Sequence, residues 1–166
     1  FRKMDSMKDI GLNLTTLMFF KRFKKHFDDY KKFSNEYLIK SNEDFVKIEE
    51  LNKLNGQYDG FICGSDQVWN TNCYDSDDAY YLPFVKEGLK IAYAPSFGAT
   101  NIVNVDKKNN GRYKKFLRDF NSLSCRERNG AKWIEELTGK NIPVVLDPTL
   151  LLTKSEWNDL AGEERL

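Results

Sequence analysis

Tyr58-Asp59-Gly60-Phe61-Ile62-Cys63-Gly64-Ser65-Asp66-Gln67-Val68-Trp69-Asn70 is the stretch from which the fold can be read. The apolar run Phe61-Ile62-Cys63 lies between Gly60 and Gly64, the pattern of a short buried strand with an abrupt end. Ser65, Asp66, Gln67 and Asn70, all hydrogen-bonding side chains, follow at once, together with the large ring of Trp69. In open α/β sheets, ligands sit beyond the carboxyl ends of the strands, so a polar substrate is expected here. At Gly64 a ligand could approach the backbone with no Cβ in the way. The plainer reading of the same residues is a polar strand-to-helix loop with a buried Trp.

Working outward, the pattern repeats. Lys90 to Ala94 reads as a second strand ending at Pro95-Ser96-Phe97-Gly98, and Ser122 to Cys125 as a third, ended by Arg126-Glu127-Arg128. Ile142 to Leu146 reads as a fourth, broken by Asp147-Pro148. Between them, Tyr113, Phe116, Leu117 and Phe120 keep a helical period, as do Ala131, Ile134 and Leu137 with Gly139 as a stop. Ahead of the first strand, Ser41-Asn42-Glu43-Asp44 reads as an N-cap for a helix through Phe45, Ile48, Leu51 and Leu54 that stops at Gly56. Thr153-Lys154-Ser155-Glu156 is a capping box opening a last helix near Trp157. Strands alternating with helices imply βαβ units and a mostly parallel sheet. The expected fold is therefore a Rossmann-like, three-layer α/β domain over 56–166. In a parallel sheet the strand ends share one edge, which would collect Ser65, Asp66, Gln67, Ser96, Gly98, Arg126 and Asp147 along a single crevice.

Composition bounds the function. The 166 residues fit one domain, with 40% hydrophobic, 31% charged and 14% aromatic content. A net charge of +1 gives no global case for nucleic acid. No apolar run is long enough to span a bilayer. No GxGxxG or P-loop follows any strand, and no His/Cys cluster suggests a metal. Asp75, Asp77 and Asp78 lack the spacing of a calcium loop. Cys63 and Cys125 sit in apolar runs as small hydrophobes, and the odd count of three cysteines suits a reducing cytoplasm.

Residues 1–55 form a basic helical segment expected to pack on the domain. Over residues 1–40 ten Lys and Arg face five Asp and Glu, a local +5. Phe19, Phe20, Phe23, Phe27 and Tyr30 recur at three- and four-residue steps, an aromatic stripe with lysines opposite. An ordinary amphipathic helix with a solvated face is the simpler reading; peripheral association with a membrane or an anionic glycan carrier is the functional one. His26, the only histidine, has no catalytic partner in this pattern.

Phe61-Ile62-Cys63-Gly64-Ser65-Asp66-Gln67-Val68-Trp69-Asn70 also resembles the signature of the polysaccharide pyruvyl transferase family. Four later stretches resemble that family in order and spacing: Ala79 to Val85, Lys90 to Gly98, Leu123 to Glu127, and Val145 to Leu152. One departure is Pro95, where an Ala is more usual. The resemblance implies transfer of a pyruvyl unit from phosphoenolpyruvate to saccharide hydroxyls, giving a ketal and free phosphate, in bacterial cell-surface or exopolysaccharide synthesis. It implies the N-terminal half of a two-domain transferase resembling the GT-B glycosyltransferases. The expected excerpt lacks a first strand-loop-helix unit and a C-terminal domain, and would be inactive alone.

Such chemistry needs a proton for the methylene carbon, a base for the attacking hydroxyl, and cations on the donor's carboxylate and phosphate. The resemblance places Arg126 as one donor clamp; a surface ion pair with Glu127 is the alternative. Asp66 is the local candidate for orienting or deprotonating a hydroxyl, and Gly64, Ser65, Gln67, Trp69, Asn70, Ser96 and Gly98 for binding substrate. No metal and no cofactor beyond the donor are expected. The acceptor would be a saccharide or a lipid-linked oligosaccharide. The rival functions are a nucleotide-sugar glycosyltransferase of the same architecture and a non-catalytic glycan-binding domain.

Overall fold

The computed structural model describes residues 16–161. They fall into two compact units, one ending at Asp44 and the other starting at Phe45. The division thus comes eleven residues before the expected boundary at residue 55.

The first unit is built on helix α1, Phe20–Tyr37. Lys24 and Lys25 pair with Asp28 and Asp29 one turn later, at 2.9 and 2.6 Å. The chain leaves the helix at Leu38 in an extended conformation.

The second unit opens with a 3-10 turn, Ile48–Leu54, in place of the expected α-helix capped at residues 41–44. Two features of the sequence account for this. The Glu50 carboxylate accepts from the backbone N–H of both Val46 and Lys47, at 2.8 and 3.0 Å, so the turn starts at Lys47. Ile48, Leu51 and Leu54 recur every third residue, which aligns them on one side of a helix with three residues per turn. Ile48 and Leu51 pack against the core.

Strands β1 (Gly60–Cys63), β2 (Leu89–Ala92) and β3 (Ser122–Leu123) form one open parallel sheet in the order β1-β2-β3. Cys63 pairs with Ala92 and Ala92 with Leu123. The fourth expected strand is reduced to a single parallel bridge, Cys125 to Val144, with Val145 N–H donating to Cys125 at 3.0 Å. Pro143 has no N–H to give to a ladder, and Pro148 lies soon after, so little pairing length remains. All four segments run parallel, as a βαβ alternation requires. The domain is α/β and Rossmann-like.

Helices α2 (Ile102–Lys108), α3 (Arg112–Arg118) and α4 (Arg128–Thr138) pack together beside the sheet. Helix α2 was not read from the sequence. Its signal is Asn101, whose side chain accepts from the N–H groups of Val103 and Asn104. Buried Asp106 then accepts from Lys114 N–H at 3.0 Å and ties α2 to α3. The last helix, α5, runs Lys154–Ala161. Its capping box forms as expected, with Thr153 N–H donating to the Glu156 carboxylate at 2.7 Å and Glu156 N–H returning to the Thr153 hydroxyl at 3.3 Å.

The core lies on the sheet face that carries Cys63, Ala92, Leu123 and Cys125; on the other face, Ile62 and Leu89 stay exposed. Trp69 is at the centre. Its ring stacks on Tyr81 (centroids 5.2 Å apart, planes 3° apart) and meets Phe97 and Phe120 at 5.2 and 5.8 Å. Burial pushes the Cys63 thiol up to about 12 and the Cys125 thiol up to about 11. Both are therefore inert packing groups at neutral pH.

Candidate active site at the strand ends

The carboxyl ends of β1, β2, β3 and the bridged segment are stitched together by a few bonds. Ser96 N–H donates to the Asp66 carbonyl at 2.8 Å, and Trp69 N–H to the Ser96 carbonyl at 3.2 Å. The Ser124 hydroxyl donates to the Ala92 carbonyl and accepts from Ala94 N–H, at 2.9 and 3.0 Å. The Tyr93 hydroxyl donates to the Leu146 carbonyl at 3.2 Å. These ties fix the loops that carry the candidate residues.

Three of the crevice residues meet at one carboxylate. Ser65 Oγ donates to Asp147 Oδ2 at 2.8 Å, and Arg126 Nη1 donates to the same oxygen at 2.7 Å. Thr149 supplies two more donors, its N–H at 3.0 Å and its hydroxyl at 2.7 Å, both to Asp147 Oδ1. The Thr149 bonds come first in holding the Asp147 carboxyl well below the usual carboxylate range, with Ser65 and Arg126 adding to them. Asp147 is thus ionised at neutral pH with both oxygens occupied, which makes it a poor base. Arg126 is held more firmly in its charged form by the bond it donates to Asp147. Its contact with Glu127, Nε to Oε1 at 3.4 Å, is long. Nη2 has no partner among the described residues. Arg126 stands just ahead of α4, whose N-cap residue Glu127 makes no side-chain cap bond.

Asp66 lies in different surroundings. Its backbone is left-handed (φ 63°), a conformation that Asp tolerates. Its Oδ1 accepts from Gln67 N–H at 2.7 Å, and Oδ2 has no partner among the described residues. With Gln67, Cys73, Asp75 and Tyr80, Asp66 lines a cavity of about 150 Å³ in which Arg126 has no part. The single expected crevice is thus two adjoining sites: the Ser65-Asp147-Arg126 cluster, whose carboxylate is fully bonded while Arg126 Nη2 stays open among the described residues, and an open pocket at Asp66.

Two candidates, Trp69 and Ser96, turn inward and are corrected as ligand contacts, while Asn70, Gly64 and Gly98 have close neighbours within the protein. Trp69 is fully buried and donates its indole N–H to the Tyr80 carbonyl at 3.1 Å, so no sugar face can stack on it. Ser96 is also buried, with its hydroxyl accepting from Gly98 N–H. Asn70 spends its amide on Gln67 and accepts from Thr100, at 2.8 and 2.6 Å. What comes close to Gly64 (φ 132°) is the protein itself: a Cβ there would lie 1.8 Å from the Tyr93 carbonyl oxygen. At Gly98, a Cβ would come within 2.7 Å of both the Asn70 and the Gln67 amides. Gly64, Ser65, Asp66, Gln67, Asn70, Gly98 and Arg126 all keep some exposure. Sequence reasoning gave no role to Thr149, although Asp147-Pro148-Thr149 carries the usual signal of an Asp side chain closing a turn on the residue two ahead.

The family model described as polysaccharide pyruvyl transferase matches residues 13–165. The chain belongs to the polysaccharide pyruvyl transferase family. Neither a curated protein nor a solved structure matches it. Every segment on which the resemblance rested, from Phe61-Ile62-Cys63-Gly64 to Val145 to Leu152, lies inside the matched span. As a member of that family the chain is placed among transferases of polysaccharide synthesis, with a saccharide as acceptor. Among the described residues no group of three or more His, Cys, Asp or Glu could hold a metal ion, and no helix is long and apolar enough to cross a membrane.

Proposed function

We propose that the chain supplies the acceptor pocket and one donor clamp of an enzyme that moves a pyruvyl unit from phosphoenolpyruvate to two hydroxyls of a saccharide. The observation that carries this reading is the state of Arg126: ion-paired through Nη1, with Nη2 open among the described residues, at a strand end just ahead of a helix. A planar guanidinium fixed in this way suits the donor's carboxylate or phosphate. Asp66, whose Oδ2 is unoccupied, takes the proton of the attacking hydroxyl or orients that hydroxyl. Ser65 and Gln67 contribute at the same loop.

In the reaction the first sugar oxygen bonds to the donor's central carbon as its methylene carbon gains a proton. The second oxygen then bonds to the same carbon, the C–O bond to phosphate breaks, and phosphate leaves with the bonding pair. Of the two hydroxyl protons released, the equivalent of one is taken up by carbon and the other leaves with the phosphate. Asp147 takes no proton; it holds Arg126.

The test is an assay of the complete protein with isotope-labelled phosphoenolpyruvate and candidate oligosaccharides. Label in the saccharide, with one phosphate released per ketal, is the result expected. A nucleotide sugar that raises the melting temperature while phosphoenolpyruvate does not would favour the glycosyltransferase reading instead.

A further inference from the structure

We propose that helix α1 is a docking surface for an anionic membrane, lying in the interface with its aromatic stripe in the lipid. Phe20, Phe23, Phe27, Tyr30, Phe33 and Tyr37 fall on one side of the helix, within an arc of roughly 140° at 3.6 residues per turn. The rings of the stripe are largely exposed among the described residues, Phe23 50%, Phe27 64% and Tyr30 66%, while the small Ser34 between them is buried. Phe33 and Tyr37 stack on each other at 4.8 Å, so the stripe is continuous at its end. Soluble helices ordinarily cover such a stripe with the core.

Two observations choose the occupant. The first is charge. Within Phe20–Tyr37, Lys21, Arg22, Lys24, Lys25, Lys31 and Lys32 outnumber Asp28, Asp29 and Glu36, six to three, for a local +3. The whole chain carries only +1, so positive charge is concentrated where the apolar face is. The second is side-chain type. A protein-binding helical seam is narrow and rich in Leu, Ile and Val at heptad positions. Here the face is broad and carries six aromatic rings, with His26 and Ser34 between them and lysines on the far side, which is the composition of helices that lie in a bilayer's headgroup region. Long lysine stems can reach around the helix to anionic headgroups while the rings enter the acyl boundary. The ion pairs Lys24–Asp28 and Lys25–Asp29 hold the polar face in helical form without neutralising the helix as a whole. The substrate class agrees but is not needed: a lipid-linked acceptor would present its sugar at the same surface.

The experiment is co-sedimentation of the full chain with phosphatidylcholine vesicles, with and without about one-quarter phosphatidylserine. Binding to the anionic vesicles should exceed binding to the neutral ones by more than tenfold and should weaken as salt rises. Each basic residue near such a surface strengthens binding by about fivefold, so Lys31→Glu with Lys32→Glu should reduce it more than tenfold. Phe23→Ser with Phe27→Ser should do the same. The lysine pair lies on the exposed polar face, so it tests the surface even if the phenylalanine pair disturbs the helix. Equal binding to both vesicle types, no binding to either, or unchanged binding in the lysine variant would overturn the proposal. A dimer in solution that the phenylalanine changes dissolve would also overturn it, by assigning the stripe to a second copy of the chain.

Discussion

Ser65 and Asp147 are 82 residues apart in the chain, yet the Ser65 hydroxyl donates to Asp147 Oδ2 at 2.8 Å. The bond joins the end of the first strand to the end of the last bridged segment. Arg126 reaches the same oxygen from the end of the third strand. One carboxylate therefore sets the relative position of three strand ends, which explains why Asp147 is satisfied four times over while Asp66 is left half open.

Asp147→Asn keeps the shape and removes the charge, so it should lower the melting temperature at pH 7. The pH dependence has a definite sign. The folded carboxyl titrates below its unfolded value of about 4. Its stabilisation is therefore complete above about pH 5 and is lost as pH falls through the carboxylate range. Melting curves of wild type and variant from pH 7 to 2 should converge at the acid end. A gap that stayed constant down to pH 2 would show that the charge of Asp147 contributes nothing.

Trp69 separates packing from recognition. With the ring fully buried on Tyr81, Trp69→Ala should cost about 3–5 kcal/mol of stability. Trp69→Phe keeps a ring and loses the bond to the Tyr80 carbonyl, a cost of about 1 kcal/mol plus the lost contact area. Saccharide affinity of the folded Trp69→Phe protein should equal that of wild type; a selective loss of affinity would put the indole back at the substrate.

Gly64→Ala should be among the most damaging single changes. The new methyl would lie 1.8 Å from the Tyr93 carbonyl oxygen, on a backbone at φ 132°. Parting the ends of β1 and β2 to relieve that contact should cost at least about 3 kcal/mol, read by urea denaturation. A ligand-only role for Gly64 predicts near-normal stability with weakened binding.

Much of the fold was legible because the strands are short apolar runs with abrupt stops. Phe61-Ile62-Cys63 and Lys90 to Ala94 lie within a residue or two of the strands formed. The fourth strand was over-read, because Ile142, Val144 and Leu146 are apolar but Pro143 and Pro148 leave room for one bridge only. The 3-10 turn at Ile48–Leu54 was over-read as an α-helix, since a three-residue repeat fits both until the Glu50 bonds are seen. At the site, residue types pointed to the right loops but not to which side chains face outward. Trp69 and Ser96 look like ligand groups in sequence, and only three-dimensional packing turns them inward. Asp147 was visible as a member of the strand-end set, but its four donors come from three segments, and no local pattern shows that.

Asp66 and Asp147 divide the work of the two carboxylates, and activity separates them. Asp66→Asn removes the only group in its loop that can take a proton from a hydroxyl, so turnover should fall about 10²- to 10⁴-fold. Donor affinity should be unchanged, because Arg126 has no part in the Asp66 pocket. Steady-state rates beside donor titrations decide this, and unchanged turnover would leave Asp66 as a backbone-turn residue.

Calorimetric titration of phosphoenolpyruvate into the complete protein, wild type beside Arg126→Lys, tests the central claim most directly. Lysine keeps the charge but loses the planar fork that Asp147 holds in place. A charge-assisted pair is worth about 1.5–3 kcal/mol, so the lysine protein should bind the donor about ten- to a hundredfold more weakly. Equal affinity in the two proteins, or no binding to wild type, would contradict the assignment of Arg126 as the donor clamp.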